Sequence, residues 1–451
     1  MSEQIPQKVV HIETYGCQMN VADTEVVAAI LQTVGYSFTE KPEEADVMLI
    51  NTCSVRDNAE KRVIGRIENL QALRRKCGKP AVIGVLGCMA ERVKERLLTE
   101  HGVDLVAGPD AYADLPNLLA DVEAGGKAIN VTLSKEETYR DVVPLKLPGL
   151  NISGFVSIMR GCDEFCSYCI VPFTRGRERS REPESIYREI AAMKEAGFRE
   201  VTLLGQKVNG YFYRSEEGDE VDFPDLLRAI HQLAPQMRIR YTSPHPRHMS
   251  DKLIETMAEI PQICAHIHLP VQSGSNAVLE RMRRGYTREW YLDRIATLRS
   301  KIPHCGISTD IFCGFSGETE EDHRQTLSLM ETVRFDSAFL FKYSERPTTY
   351  AARHYPDDVP EEVKLRRLEE LISLQNRLSL ESNERDKGKI FEVLVEGVSR
   401  KSRLQYYGRT TTNKVVVFPK GEARIGSFVT VRVLSATQAT LIGELCAEKG
   451  L

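Results

Sequence analysis

The sequence predicts an α/β chain in three parts: an N-terminal doubly wound parallel sheet, a central six-unit partial (β/α) barrel and a small C-terminal all-β barrel. Three observations lead there. Apolar, strand-length runs alternate with helical periodicity over residues 8–125 and again over 154–343, the mark of parallel βα units. The second stretch holds six such units, fewer than the eight that close a TIM barrel. From residue 386 the pattern turns to short β-rich runs separated by Gly and Pro.

The first part runs over 8–125. VVHIETYGC (9–17) reads as an apolar strand ending in a loop, with helical periodicity following over 23–34. DVMLINTC (46–53) is a second strand, followed by a helix from Asn58 to about Arg75, and AVIGVLGC (81–88) is a third. A helix at 90–99 and a short strand, DLVAG (104–108), continue the pattern. Residues 126–150 carry scattered Pro and Gly with little periodicity and are expected to form a linker.

The barrel and its trailing helix are expected over 151–380. Its strands are FVSIMR (155–160), VTLLG (201–205), RIRYTS (238–243), AHIHLP (265–270), ISTDIFCG (307–314) and SAFLFKYS (337–344). Helical patterns such as 185–197 and 288–300 lie between them; the first opens after Pro183 and Glu184 and closes on Gly197. A charged helix over about 359–385, with Leu365, Leu368, Leu371, Ile372 and Leu374 on one face, is expected to brace the barrel. The β-rich unit is assigned to 381–446.

Composition bounds the function. A formal net charge of −4, 42% hydrophobic and 27% charged residues are ordinary for a globular protein. No run approaches the ~18 apolar residues of a membrane span, and the first residues lack the form of a signal peptide, so a cytoplasmic protein with no membrane partner is expected. In that compartment the 11 cysteines point away from a disulfide framework and toward metal or catalytic use wherever they cluster.

They cluster twice. GCDEFCSYC places Cys162, Cys166 and Cys169 as C-x3-C-x2-C directly after the first barrel strand, and catalytic groups on βα barrels sit at the carboxyl ends of strands. Three thiolates suit a cubane iron–sulfur cluster with one iron left open to chelate a cofactor's amino and carboxylate groups. Structural zinc would want a fourth ligand, and none stands in this loop; zinc and plain core cysteines are the alternatives. Cys17, Cys53 and Cys88 are distant in sequence, yet each ends a predicted parallel strand at intervals of 36 and 35 residues. The carboxyl ends of an open parallel sheet form one rim, so these three thiols are expected to converge on a second cluster, with three unconnected buried cysteines as the alternative. Cys77, Cys264, Cys305, Cys313 and Cys446 show no such arrangement and read as structural.

Other strand ends of the barrel become cofactor candidates: Gly205 and Gln206 after strand two, Ser243 and His245 after strand three, Gln272 after strand four, Asp310 and Gly314 around strand five. Each alone reads equally as an ordinary loop residue; together they occupy one rim. Tyr168, beside the last cysteine of the loop, reads as a stacking partner for the cofactor or as core.

With both cysteine sets and the β-rich tail in view, nearly all of residues 8–446 resembles the radical S-adenosylmethionine (SAM) methylthiotransferases. The resemblance is carried by YGCQMNVADTE (15–25), INTCSVRDNAE (50–60), MRGCDEFCSYCIVPFTRGRERSR (159–181), HLPVQSGSN (268–276), MRRGYTREWY (282–291) and GRTTTNKVVVFP (408–419). The run PFTRGRERSR is similar to the branch acting on dimethylallyladenosine in tRNA; GQKVNGY (205–211) departs from it, with Lys207 where asparagine is expected. The resemblance implies a TRAM domain at the C-terminus, two [4Fe–4S] clusters and SAM as both radical source and methyl donor. It implies SAM cleavage at the Cys162/Cys166/Cys169 cluster, hydrogen removal from C2 of an adenine, and methylation of a sulfur carried on the Cys17/Cys53/Cys88 cluster. The product is a methylthio group on C2 of the N6-isopentenyladenosine beside the tRNA anticodon. An unactivated C2–H bond is beyond any side-chain base, which is why radical chemistry fits.

The partners implied are a tRNA carrying isopentenylated adenosine, an electron donor such as flavodoxin or ferredoxin, and a sulfur donor where the inserted sulfur comes from outside the cluster. RNA contact is expected from Arg175 and Arg177 after the cysteine loop, from Arg284 in the basic stretch Arg281–Arg288, and from Arg400, Arg403 and Arg409 in the tail, where Tyr406 and Tyr407 are interleaved. The target base must be unstacked to reach a buried radical site. Two alternatives remain: a methylthiotransferase acting on threonylcarbamoyladenosine or on a ribosomal-protein aspartate, and a non-enzymatic, metal-stapled RNA-binding protein.

Overall fold

The structure, a computed structural model, describes residues 8–54, 57–139, 141–146 and 152–446. The N-terminal sheet is parallel throughout, in the spatial order Ser37–Phe38, Val9–Tyr15, Val47–Thr52, Val82–Gly87, Leu105–Ala107, Ala128–Asn130. Helices Gln18–Thr33 and Leu115–Glu123 bury Val27, Leu31, Leu115 and Leu119 on one face. Helix Asp57–Cys77 buries Val63, Ile67 and Leu70 on the other. The sheet is therefore doubly wound, and its direction of winding reverses beside Val9–Tyr15, the switch point where such sheets bind ligands.

Two local readings change. The first helix begins at Gln18 instead of residue 23, because Cys17 and Asn20 form a reciprocal cap that starts it earlier. Residues 126–139 are not a loose linker. Ala128–Asn130 pairs with Leu105–Ala107 as the edge strand, and the buried Tyr139 donates its hydroxyl to Pro109 O at 2.8 Å; residues 147–150 lie outside the described residues.

The central unit holds six parallel strands in two sheets: Ser153–Ser157, Glu200–Leu204 and Arg238–Tyr241 in one, His266–His268, Gly306–Cys313 and Ser337–Lys342 in the other. A parallel bridge from Ile239 to Ile263 joins them, leaving the first and sixth strands as unpaired edges of an open arc. Helix Glu361–Glu384, within the expected 359–385, packs on it through Leu371, Leu374 and Leu378. Leu365 and Ile372, expected on the buried face, are exposed; the buried stripe instead repeats as Lys364, Arg367, Leu371, Leu374 and Leu378, the helical period.

Ile390–Val398, Gln405–Thr410, Val415–Pro419, Phe428–Ala436 and Leu441–Leu445 close a five-stranded barrel. It docks at the amino ends of the central strands: Arg240 Nη2 donates to Thr410 O (2.7 Å), Arg238 to Arg409 O (3.0 Å) and Glu392 Oε1 (2.8 Å). The carboxyl ends are left to face the N-terminal sheet. Among the described residues no helix is long and apolar enough to cross a membrane.

Candidate active site between two cysteine rims

Cys162, Cys166 and Cys169 lie in the loop after the first barrel strand, and backbone contacts shape it. Ser167 N–H donates to Met282 O (3.0 Å), Ser167 Oγ to Arg281 O (2.7 Å), and Ala351 N–H to Ser167 O (2.7 Å). Gly161 enters the loop at φ 74°, and a Cβ there would stand 1.9 Å from Arg177 O; only glycine allows that approach. Burial pushes the Cys162 thiol up to about 11 and Cys169 to about 12, so metal loading must release their protons.

The second triple forms as strand-end logic requires. Cys17 follows Val9–Tyr15 across Gly16, Cys53 follows Val47–Thr52, and Cys88 opens helix Cys88–Val93 directly after Val82–Gly87. Gly16 sits at φ 148°, where a Cβ would meet Cys53 Cβ at 2.6 Å. A buried amide network fixes the rim: Asn20 Nδ2 donates to Asn51 Oδ1 and Thr52 O (both 3.0 Å), and Asn51 Nδ2 to Asn20 O (2.9 Å). The Cys17 thiol is lowered to about 6 by a hydrogen bond with Cys53, aided by the charge of Arg175; burial raises Cys88, against the pull of the same arginine.

Among the described residues, the only His/Cys/Asp/Glu group whose ligand atoms all fall within 4.8 Å of one another is Glu164, His245 and His248. Three thiolates at each rim suit a cubane, in which each takes its own iron and one iron stays open. The Glu164 group is filled by a cation of the chain itself: Lys207 Nζ lies 2.9 Å from Glu164 and 2.9 Å from Glu178, and His248 Nε2 2.6 Å from Glu164. The departure at Lys207 is thus an ion-paired strut between the second strand end and the cysteine loop.

The expected cofactor residues lie at the carboxyl ends of the barrel strands or, for Tyr168, in the cysteine loop, in unlike settings. Gln206 Oε1 and His245 Nε2 are buried with no hydrogen-bond partner, an acceptor and, since Nδ1 accepts from Arg247 N–H, a donor that a polar ligand would satisfy. Gly205 lies against Met159. Ser243 and Gln272 adopt left-handed φ of 61° and 72°, and Asp310 Oδ1 is 3.4 Å from His268 Nε2. Gly314 is turned away: its N–H donates to Glu318 and its Cα packs on Lys364. Tyr168 packs edge-on to Phe312 at 4.8 Å.

Three arginines assigned to RNA are engaged by the protein itself, two of them buried and Arg409 partly so. Arg175 is buried on Asp23 (2.7 Å). Arg284 is buried with Nη1 3.3 Å from Cys166 Sγ and Nη2 2.9 Å from Pro270 O. Arg409 pairs with Glu200 (3.0 Å) and Glu396 (2.5 Å) at the docking of the small barrel. A run of basic residues does not reveal which side of the chain will be solvated. Arg177 stays exposed beside Asp163 and Phe165, and Arg400 and Arg403 are exposed.

The sequence reading missed two features. Arg346, after the sixth strand, lies near enough to Cys53 to feel its charge, so the barrel reaches the second triple from two sides. The strand register places His268 beside Ser308, Asp310 beside Phe339 and Phe312 beside Phe341 on one face; Leu340, on the opposite face, packs into the core. Phe339 is 55% exposed and Phe341 39%, an aromatic wall running from Tyr168 along the open edge. The alternation in SAFLFKYS was the available signal, but period two alone does not say which face is hollow.

A partial βα barrel with a three-cysteine loop, facing a second cysteine rim on a doubly wound sheet, defines a radical SAM enzyme with an auxiliary domain. The chain matches the radical SAM superfamily over 156–330, a TRAM domain over 384–446, and over 9–108 a family described as uncharacterized protein family UPF0004. The solved radical SAM methyltransferase TsrM of Kitasatospora setae shares this fold, with a TM-score of 0.59 at 15% identity, covering 77% of this chain and 75% of that one. A tRNA-2-methylthio-N(6)-dimethylallyladenosine synthase of Porphyromonas gingivalis is 61% identical over 98% of this chain and 96% of its own length. One of Bacteroides fragilis is 59% identical over 97% and 95%. The chain belongs to this family of tRNA-2-methylthio-N(6)-dimethylallyladenosine synthases.

Proposed function

We infer that the two cysteine rims are the two cluster sites of a tRNA methylthiotransferase, Cys162, Cys166 and Cys169 holding one [4Fe–4S] cluster and Cys17, Cys53 and Cys88 the other. When bound, the clusters and SAM supply the electron, the hydrogen-abstracting radical, the sulfur mooring and the methyl group. What supports this reading is the packing of helix Val171–Thr174, which follows Cys169, on helix Cys88–Val93, with the charge of Arg175 acting on Cys17 and that of Cys53 on Arg346.

The chain's own residues then bind, orient and shield. Gln206 and His245 offer polar atoms to SAM, and Arg284 holds the cysteine loop through Cys166 and the backbone of Pro270. The prenylated adenosine beside the anticodon enters at the open edge between the first and sixth strands, its C2 toward the gap between the rims and its isopentenyl chain against Phe339 and Phe341. Burial of Cys53, Cys88, Cys166 and Arg284 keeps water from the reacting space. Exposed Arg177, Arg400 and Arg403 contact RNA phosphates. The enzyme works in the cytoplasm with a low-potential donor of the flavodoxin or ferredoxin class, and with a sulfur donor where the inserted sulfur comes from outside the cluster.

The test is an iron and sulfide count on anaerobically prepared chain and on a Cys17/Cys53/Cys88→Ala variant. About eight irons falling to about four, with SAM cleavage retained, supports the reading; one cluster or bound zinc in the parent chain removes the second site.

A further inference from the structure

The sheet and the barrel meet through buried ion pairs, and one of them stands beside the second cysteine rim. Asp23 is fully buried and accepts from two arginines of the barrel, Arg160 Nη1 (2.7 Å) and Arg175 Nη2 (2.7 Å). Arg160 has further partners: it approaches Glu137 (3.8 Å) and lies over the Tyr139 ring. Arg175 Nη1 is buried with no hydrogen-bond partner. An unmet guanidinium N–H in the interior is costly unless something anionic belongs beside it. What lies nearby is the second cysteine rim: helix Val171–Thr174, which ends at Arg175, packs on helix Cys88–Val93, and the charges of Cys88 and Cys17 both act on the guanidinium.

We propose that Arg175 is a cross-domain positioning residue for the second cluster: Asp23 aims its guanidinium at Cys17 and Cys88, and its charge offsets the anionic cluster and sets its reduction potential. This rests on the reading that Cys17, Cys53 and Cys88 hold a cluster. The residue stands six positions after Cys169 in the same motif run, so one short segment carries a ligand of the first cluster and the counter-charge of the second. That gives the arginine of PFTRGRERSR a role that solvent-facing phosphate contact does not. Charge beside a cluster moves its potential with a definite sign. Removing the cation makes the added electron less welcome and lowers the potential; removing the Asp23 carboxylate leaves the cation unopposed and raises it.

The experiment uses the full chain with Cys162, Cys166 and Cys169 replaced by alanine, so that only the second cluster is loaded. Iron and sulfide content and the midpoint potential from an EPR-monitored titration are compared for this parent and for Arg175→Gln, Arg175→Lys and Asp23→Asn. The parent is expected to hold about four irons and four sulfides. Arg175→Gln shifts the potential down, Arg175→Lys keeps it near the parent value, and Asp23→Asn shifts it up. Should Arg175→Gln fail to load, an Arg175→Lys potential near the parent value together with a raised Asp23→Asn potential supports the proposal. An unmoved potential in loaded Arg175→Gln or Asp23→Asn, or shifts of the same sign in those two, overturns the proposal while leaving the cluster reading intact. A parent without iron overturns both.

Discussion

Replacing Arg409 separates its sequence reading from its structural one. As an RNA contact, Arg409→Gln would remove one phosphate neutralisation, reducing the slope of log affinity against log salt by about 0.7–0.9. In the structure its guanidinium lies 3.0 Å from Glu200 and 2.5 Å from Glu396, at the seam between the small barrel and the central strands. Removing one partner of a buried ion pair costs about 3–5 kcal/mol. Here Glu200 keeps Arg240 (2.7 Å) and Ser153 (2.9 Å), and the arginine is 27% exposed, so we expect about 2 kcal/mol, roughly thirtyfold in the docking equilibrium. Native-state hydrogen exchange at Thr410–Thr412 reads this directly: protection should fall by up to about thirtyfold, with the salt slope for an anticodon stem-loop unchanged. Arg400→Gln with Arg403→Gln is the reciprocal control, reducing the slope by about 1.4–1.8 with protection intact. A reduced slope with full protection in Arg409→Gln would refute the docking argument.

Two other outcomes follow from the same geometry. Phe339→Ser with Phe341→Ser should erase most of the preference for a prenylated over an unprenylated stem-loop; burying about three carbons of the chain is worth about 2 kcal/mol, roughly thirtyfold. Equilibrium binding to both RNAs checks it, and equal weakening for both would move the prenyl site elsewhere. Glu91 has a buried oxygen with no partner, and burial raises its carboxyl from 4.5 to about 7. The native state thus holds this proton more tightly than the unfolded chain does. Its favourable contribution is complete below about pH 4.5 and is lost as pH rises through about 7. Glu91→Gln should be more stable than the parent by about 2 kcal/mol at pH 8, allowing for solvent screening, and nearly equal at pH 5; urea midpoints at both values decide, and a pH-independent difference would sink the assignment.

Periodicity and spacing determined much of this protein before any coordinates. The alternation of apolar runs and helical stretches specifies parallel units, because a buried strand and an amphipathic helix impose different periods on the chain. Cys17, Cys53 and Cys88 could be grouped from sequence because each terminates a strand, and parallel strands share one rim. The C-x3-C-x2-C loop was legible for the same reason: its ligands are local. What sequence could not carry was the facing of one domain on another. PFTRGRERSR presents four arginines that look alike, yet Arg175 and Arg179 are buried on Asp23 and Asp110, and Arg181 on Glu189, while Arg177 faces solvent. Asp23 lies 137 and 152 residues from its two arginine partners, a pairing no local pattern encodes. The same holds for Arg409 on Glu200, for Arg346 beside Cys53, and for the exposed face of Phe339 and Phe341. A charge takes its meaning from the dielectric and the counter-charge around it, and both are supplied by elements far along the chain that only tertiary packing brings together.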